Sequence, residues 1–121
     1  MKVLAIRGAT TVSCNSRDEI LKETSTLIYT IINENNLEID DIISMCFTMT
    51  NDLDAVYPAV AVRESLGIVD IPLLNFEEKY IVNSLEKCIR VLIHINSNKN
   101  KCDINHVYLN KSKILRPDLS K

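Results

Sequence analysis

Cys88-Ile89-Arg90-Val91-Leu92-Ile93-His94-Ile95 is the stretch on which the fold turns. It is rich in β-branched residues and largely apolar on both faces of a period-two alternation, so it predicts the longest strand of the chain. Upstream, Ser16-Arg17-Asp18-Glu19 fits a capping box, with Ser16 as N-cap and Glu19 at the third helical position. Ile20, Thr24, Leu27, Ile28, Ile31 and Ile32 then recur at helical spacing, and Asn33 to Asn36, poor helix formers, stop the run. A buried strand and a long amphipathic helix in one short chain point to the α+β class.

The remaining elements arrange themselves around these two. Val3 to Ala9 reads as a short strand carrying Arg7, loosening into a loop over Gly8-Ala9-Thr10-Thr11, and Ile42 to Thr48 reads as a buried strand. Tyr57-Pro58 sets up a short helix that runs through Val62-Arg63-Glu64 and closes at Gly67. A brief strand spans Ile71 to Leu74, a polar connection holds Glu77 and Glu78, and a polar loop covers Asn96 to Asn105. His106-Val107-Tyr108-Leu109 is a last short strand, and Pro117 discourages the tail Leu115-Arg116-Pro117-Asp118-Leu119 from remaining helical. The predicted architecture is a mixed β-sheet with one long and one short helix, in a single domain over residues 1–121.

Composition narrows the function. With 46% hydrophobic and 25% charged residues the chain is an ordinary globular domain. The amino terminus is too short an apolar run for a secretory signal, and no segment approaches the ~18 apolar residues of a spanning helix, so a cytoplasmic location and no membrane partner are expected. A net charge of −2, with no basic block, argues against nucleic acid. The two glycines lie in neither dinucleotide-binding nor P-loop frames. Cys14, Cys46, Cys88 and Cys102 form no C-x-x-C pair, and His94 and His106 lack partners at zinc-ligand spacing, so no metal is expected and the thiols read as buried or idle.

Arginine is where chemistry concentrates. Arg7 and Arg90 interrupt apolar strands, and a guanidinium cannot shed its charge to escape burial, so each needs an anionic partner. That partner is either a structural carboxylate, within the chain or across a subunit contact, or a ligand. Arg63 and Arg116 read singly as surface charges and gain weight only if the fold brings them to the same place. Glu78 is a solvated loop carboxylate, a partner for Arg90, or an acceptor for a substrate hydroxyl. Tyr108 fits core packing and ligand contact equally, and Tyr57 fits either a ligand contact or a hydrophobic staple at the short helix. No Ser or Cys stands with a histidine as an identifiable nucleophile.

Five stretches together resemble the small, mostly β chorismate mutases of the AroH class. They are Ile6-Arg7-Gly8-Ala9-Thr10-Thr11-Val12, Ala55-Val56-Tyr57-Pro58-Ala59, Ala61-Val62-Arg63-Glu64, Lys87-Cys88-Ile89-Arg90-Val91, and His106-Val107-Tyr108-Leu109 with Leu115-Arg116-Pro117-Asp118-Leu119. The likeness runs through nearly the whole chain in order and includes the same arginines that the physical reading singled out.

The resemblance implies a homotrimer with a pseudo-barrel core and active sites in clefts between subunits. Arg7, Glu78, Arg90, Tyr108, Leu115 and Arg116 would come from one subunit, and Tyr57, Ala59, Arg63, Leu73, Leu74 and Asn75 from the next. It implies a cofactor-free rearrangement of chorismate to prephenate, serving phenylalanine and tyrosine synthesis on the shikimate route. The substrate is a dianion, and a concerted [3,3] shift breaks one C–O bond as a C–C bond forms, so the protein holds the chair-like conformer and stabilises charge on the ether oxygen. In that scheme Arg90 sits at the ether oxygen, Arg7 and Tyr108 hold the side-chain carboxylate, Glu78 accepts from the ring hydroxyl, and Arg63 and Arg116 cover the ligand. Two positions depart from the family: Val60, where a lysine is common, and Asn75, where a cysteine is often found. A non-catalytic trimeric module binding a small dicarboxylate, and a set of purely structural interface salt bridges, are the competing readings.

Overall fold

The computed structural model describes residues 1–115. Five strands, β1 (Lys2–Thr11), β2 (Ile42–Met49), β3 (Leu73–Glu77), β4 (Cys88–Ser97) and β5 (Val107–Tyr108), form one mixed sheet in the order β3-β2-β4-β1-β5. The helix α1 (Arg17–Glu34) links β1 to β2, and a short π-helical turn at Ala61–Ser65 lies between β2 and β3. β4 is antiparallel to both of its neighbours, while β5 runs parallel to β1 and β3 parallel to β2. The apolar Cys88–Ile95 stretch is therefore the middle strand. Its length and apolarity follow from having a full hydrogen-bonded partner on either side.

The two faces of the sheet differ. Ile89, Val91, Ile93 and Ile95 alternate onto the face covered by α1, where Ile6, Met45 and Phe47 meet Ile20, Leu27, Ile28 and Ile31, all buried. Each such side chain contributes about 1.5–3 kcal/mol by leaving water. Pairing across the ladders places Arg7, Ala9, Cys88, Arg90, Leu92, His94, Thr48, Cys46, Leu74, Phe76 and Tyr108 on the opposite face. That face has no helix over it among the described residues.

Several boundaries differ from expectation. Gly8 to Thr11 do not loosen into a loop: β1 continues to Thr11 because its partner β4 supplies a register down to Thr11–Cys88. Gly8 is there for space. A Cβ at this position would stand 2.6 Å from Ile31 Cδ1, 3.2 Å from Val91 Cγ1 and 3.3 Å from Leu27 Cδ1, so these tightly packed side-chain tips would have to shift. Gly8→Ala is expected to cost about 1–3 kcal/mol through overpacking, read as a lower urea midpoint at unchanged m-value.

The capping box is half formed. Ser16 Oγ accepts from Glu19 N at 3.2 Å, but the Glu19 carboxylate accepts from Ser13 Oγ at 3.0 Å instead of returning to Ser16. The short helix after Pro58 is a chain of i→i+3 bonds from Tyr57, Pro58 and Ala59 that widens to an i→i+5 bond at Ala61–Leu66, and Gly67 closes it at φ +69°. β3 starts later than expected and takes in Glu77, while β5 is shorter, at Val107–Tyr108. Asn35, nominally a helix breaker, is fully buried: its amide donates to Ile31 O and Asn105 O and accepts from Asn105 N, pinning the end of α1 to the loop that leads into β5.

Candidate active site

Strand alternation and register assemble the site on the uncovered face. Arg90 stands across β4 from Ala9 on one side and Thr48 on the other, and Ala9 in turn pairs with Tyr108. Glu78 follows β3 and extends its ladder by one bond, donating its N–H to Met49 O at 2.8 Å, which brings its side chain over the end of β2. There its Oε1 lies 2.9 Å from Arg90 Nε and also accepts from the Thr48 hydroxyl. The cleft around this pair, about 370 Å³, is walled by Thr50, Asp52, Tyr80, Ile81 and Leu85, a size that suits a small ligand. A roomier groove by Tyr29, Ile32 and Ile68 is lined by Asp40 and Asp70 with no cation among the described residues, and so is a poor environment for an anion.

The pair is unfinished as an electrostatic structure. Arg90 Nε is within ion-pair distance of Glu78, yet the N–H points off the carboxylate, leaving it buried with no hydrogen-bond acceptor among the described residues. The Tyr108 hydroxyl is in the same condition, on a ring only 5% exposed. Two buried donors without acceptors on one patch of sheet are costly unless something else supplies the acceptors. Beneath them Ala9, Cys88 and Tyr108 form a small buried cluster against which Leu85 and Leu115 pack.

Cys88 is part of this floor rather than an idle thiol. Burial pushes its pKa up to about 11 from 9.0, partly offset by the neighbouring Arg90 guanidinium, with Glu78 and Asp52 adding to the rise. A folded pKa above the unfolded one stabilises the protein fully below pH 9.0, and that contribution is lost as pH climbs toward 11. Urea unfolding of wild type and Cys88→Ala across this range is expected to show the steeper decline in wild type.

The other expected residues divide into groups. Arg7 lies on the same face one pair further along, opposite Leu92, half-buried, with its backbone N–H donating to His106 Nδ1 at 2.9 Å. Tyr57, Val60 and Asn75 line a second, separate cleft with Met49 and Val56, and Asn75 Oδ1 accepts from Ala59 N at 3.1 Å. The Asn75 amide therefore acts here as an acceptor that ties β3 to the Tyr57–Arg63 segment. Tyr57 is 62% exposed and forms no staple. Arg63 is exposed on the π-helical turn, Leu73 packs partly on the core, and Leu74 is exposed. Arg116 lies outside the described residues. Among those described, Arg7 and Arg63 make no ion pair, so interface-free structural bridging does not account for them. Sequence reasoning passed over Thr48 and Cys88; strand alternation would have put both on the Arg90 face only once their partners were known.

The fold and site define a class: an α+β domain that presents fixed cations and unpaired donors on one sheet face to a small anion. Comparison with known proteins narrows it. The model of the family chorismate mutase type I matches residues 3–119, and the chain belongs to that family. It is 42% identical over 120 residues to chorismate mutase AroH of Bacillus subtilis (strain 168), covering 99% of this chain and 94% of that protein. It is 35% identical over 118 residues to chorismate mutase AroH of Thermus thermophilus, covering 97% and 96%. A solved chorismate mutase from Clostridium thermocellum superposes with a TM-score of 0.89 at 52% identity, over 92% of this chain and 98% of the other.

Proposed function

We propose that this protein rearranges chorismate to prephenate without a cofactor, at sites shared between copies of the chain in a homotrimer. The observation that carries the reading is the Arg90–Glu78 pair on the same sheet face as the Tyr108 hydroxyl, which has no partner among the described residues. A concerted shift needs no nucleophile and no proton transfer. It needs the enolpyruvyl arm folded over the ring and negative charge on the ether oxygen stabilised as the C–O bond lengthens. The buried Nε–H of Arg90 supplies that stabilisation, and because ether-oxygen charge grows in the transition state, it lowers the barrier rather than merely binding substrate. Arg7 and Tyr108 hold the side-chain carboxylate, and Glu78, kept ready by Thr48, accepts from the ring hydroxyl. Arg63 and Arg116 draw in and cover the ligand, with Leu115 beneath it.

Two features support the proposed assembly. The uncovered sheet face exposes Val3, Leu74, Phe76 and Leu92, apolar area that a second copy would bury. The Arg90 cleft and the Tyr57–Asn75 cleft are separate within one chain, which supports a shared site in which the segment holding Tyr57, Ala59, Arg63, Leu73, Leu74 and Asn75 serves the arginines of a neighbour. Four unpaired cysteines and the absence, among the described residues, of any helix able to cross a membrane suit work in the cytoplasm.

Loss of chorismate absorbance on mixing with purified protein tests the reading. Turnover to prephenate is expected, unchanged in D₂O because no proton moves. Saturable binding of chorismate with no turnover would instead make this a dicarboxylate-binding module.

A further inference from the structure

We infer that Asp52 is a positioning residue for Arg90, acting through the left-handed backbone of Lys87; the link to turnover rests on the proposed function. Arg90 is the third residue of β4, so its place depends on how that strand begins. Lys87, just before it, has φ +48°, a conformation that side chains other than glycine seldom hold without outside support. The support is Asp52. Its carboxylate accepts from Lys87 N, at 3.0 Å to Oδ2 and 3.3 Å to Oδ1, and from the Thr50 hydroxyl. Thr50 Oγ1 accepts in turn from Cys88 N at 3.0 Å, and Thr50 N donates to Cys88 O at 3.0 Å. Lys87 O is held from the other side by Val12 N at 3.0 Å.

One carboxylate thus fixes the kink, the first N–H of β4 and the wall of the Arg90 cleft, in which Asp52 itself stands. Without it the Lys87 N–H loses its acceptor, the Thr50 hydroxyl that accepts from Cys88 N loses the partner that orients it, and residue 87 relaxes toward negative φ, swinging the start of the strand. A guanidinium that must meet one bond in a transition state tolerates such a shift poorly. The bond, and not the charge, is what counts: a carboxylate near a dianion's site repels the ligand.

The test uses the full-length protein with chorismate. Asp52→Ala is expected to lower kcat roughly tenfold with KM moved less than about threefold, since Arg90 acts mainly on the transition state. Asp52→Asn retains a carbonyl acceptor for Lys87 N and is expected to stay near wild type, while Asp52→Glu, with its longer arm, behaves like alanine. The diagnostic variant is Asp52→Ala/Lys87→Gly: glycine holds φ +48° unaided and restores most of the lost kcat. The Arg90 Nε–H resonance in ¹⁵N spectra gives a readout independent of the substrate, moving in Asp52→Ala and Asp52→Glu and returning in the double variant. Unaltered kcat and resonance in Asp52→Ala, an Asp52→Asn protein as impaired as alanine beside a healthy Asp52→Glu, or no recovery on Lys87→Gly each overturn the inference. Should Asp52→Ala not fold, the Asn and Glu pair decides. Wild type inactive on chorismate would defeat the functional reading alone, and the resonance shifts would still judge Asp52.

Discussion

Arg90→Ala is expected to lower kcat on the order of a thousandfold, the scale seen when a preorganised donor is removed from a developing oxyanion. The reason is where the charge sits. The buried Nε–H of Arg90 has no acceptor among the described residues, so on the proposed reading its strongest bond is the one it forms with the ligand. Folding should survive: the ion pair with Glu78 is about a third exposed on the arginine side, and losing it costs roughly 1 kcal/mol after solvent screening. Arg63→Ala provides the contrast. That side chain is exposed, and its charge acts on carboxylates that are charged before and after reaction, so KM should rise with kcat changed about tenfold or less. Steady-state kinetics of both variants beside their thermal melts check the pair of expectations. A mild effect at Arg90 and a severe one at Arg63 would reverse the assignment.

Glu78→Ala is expected to lower kcat/KM roughly a hundredfold through two losses at once. Its carboxylate is both the orienting partner of Arg90 Nε and an acceptor placed by Thr48, and with it gone the guanidinium turns toward water. Glu78→Gln keeps the shape and one acceptor oxygen, and about a tenfold loss is expected, with most of it in kcat. Equal defects in the two variants would mean that charge alone matters and that orientation does not.

How far these features can be read from the chain itself depends on whether they are local. The helix was legible because a 3.6-residue period and a serine N-cap both lie within neighbouring residues, and β4 because isoleucine and valine alternate over its whole length. Arg7 and Arg90 stood out because a permanent cation in an apolar run is a physical anomaly anywhere. What escaped is what depends on pairing. The extension of β1 to Thr11 comes from β4, the π-helical turn from how Ala61 and Val62 pack into the core, and the burial of Asn35 from Asn105 seventy residues along. Thr48, Cys88 and Asp52 join Arg90 only through register and loop closure, which no composition or spacing reveals. Family likeness supplied the grouping of the remaining residues.

On the proposed reading, one site is made from two copies of the chain. Arg90→Ala damages the half carrying Glu78 and Tyr108, and Arg63→Glu damages the half carrying Tyr57 and Asn75; each alone is expected to be nearly inactive. Mixed by co-expression or by refolding together, random trimers should recover turnover at about a quarter of their sites, those in which both intact halves meet. Activity returning to about that level is the predicted result. A mixture no more active than its components would contradict the shared site.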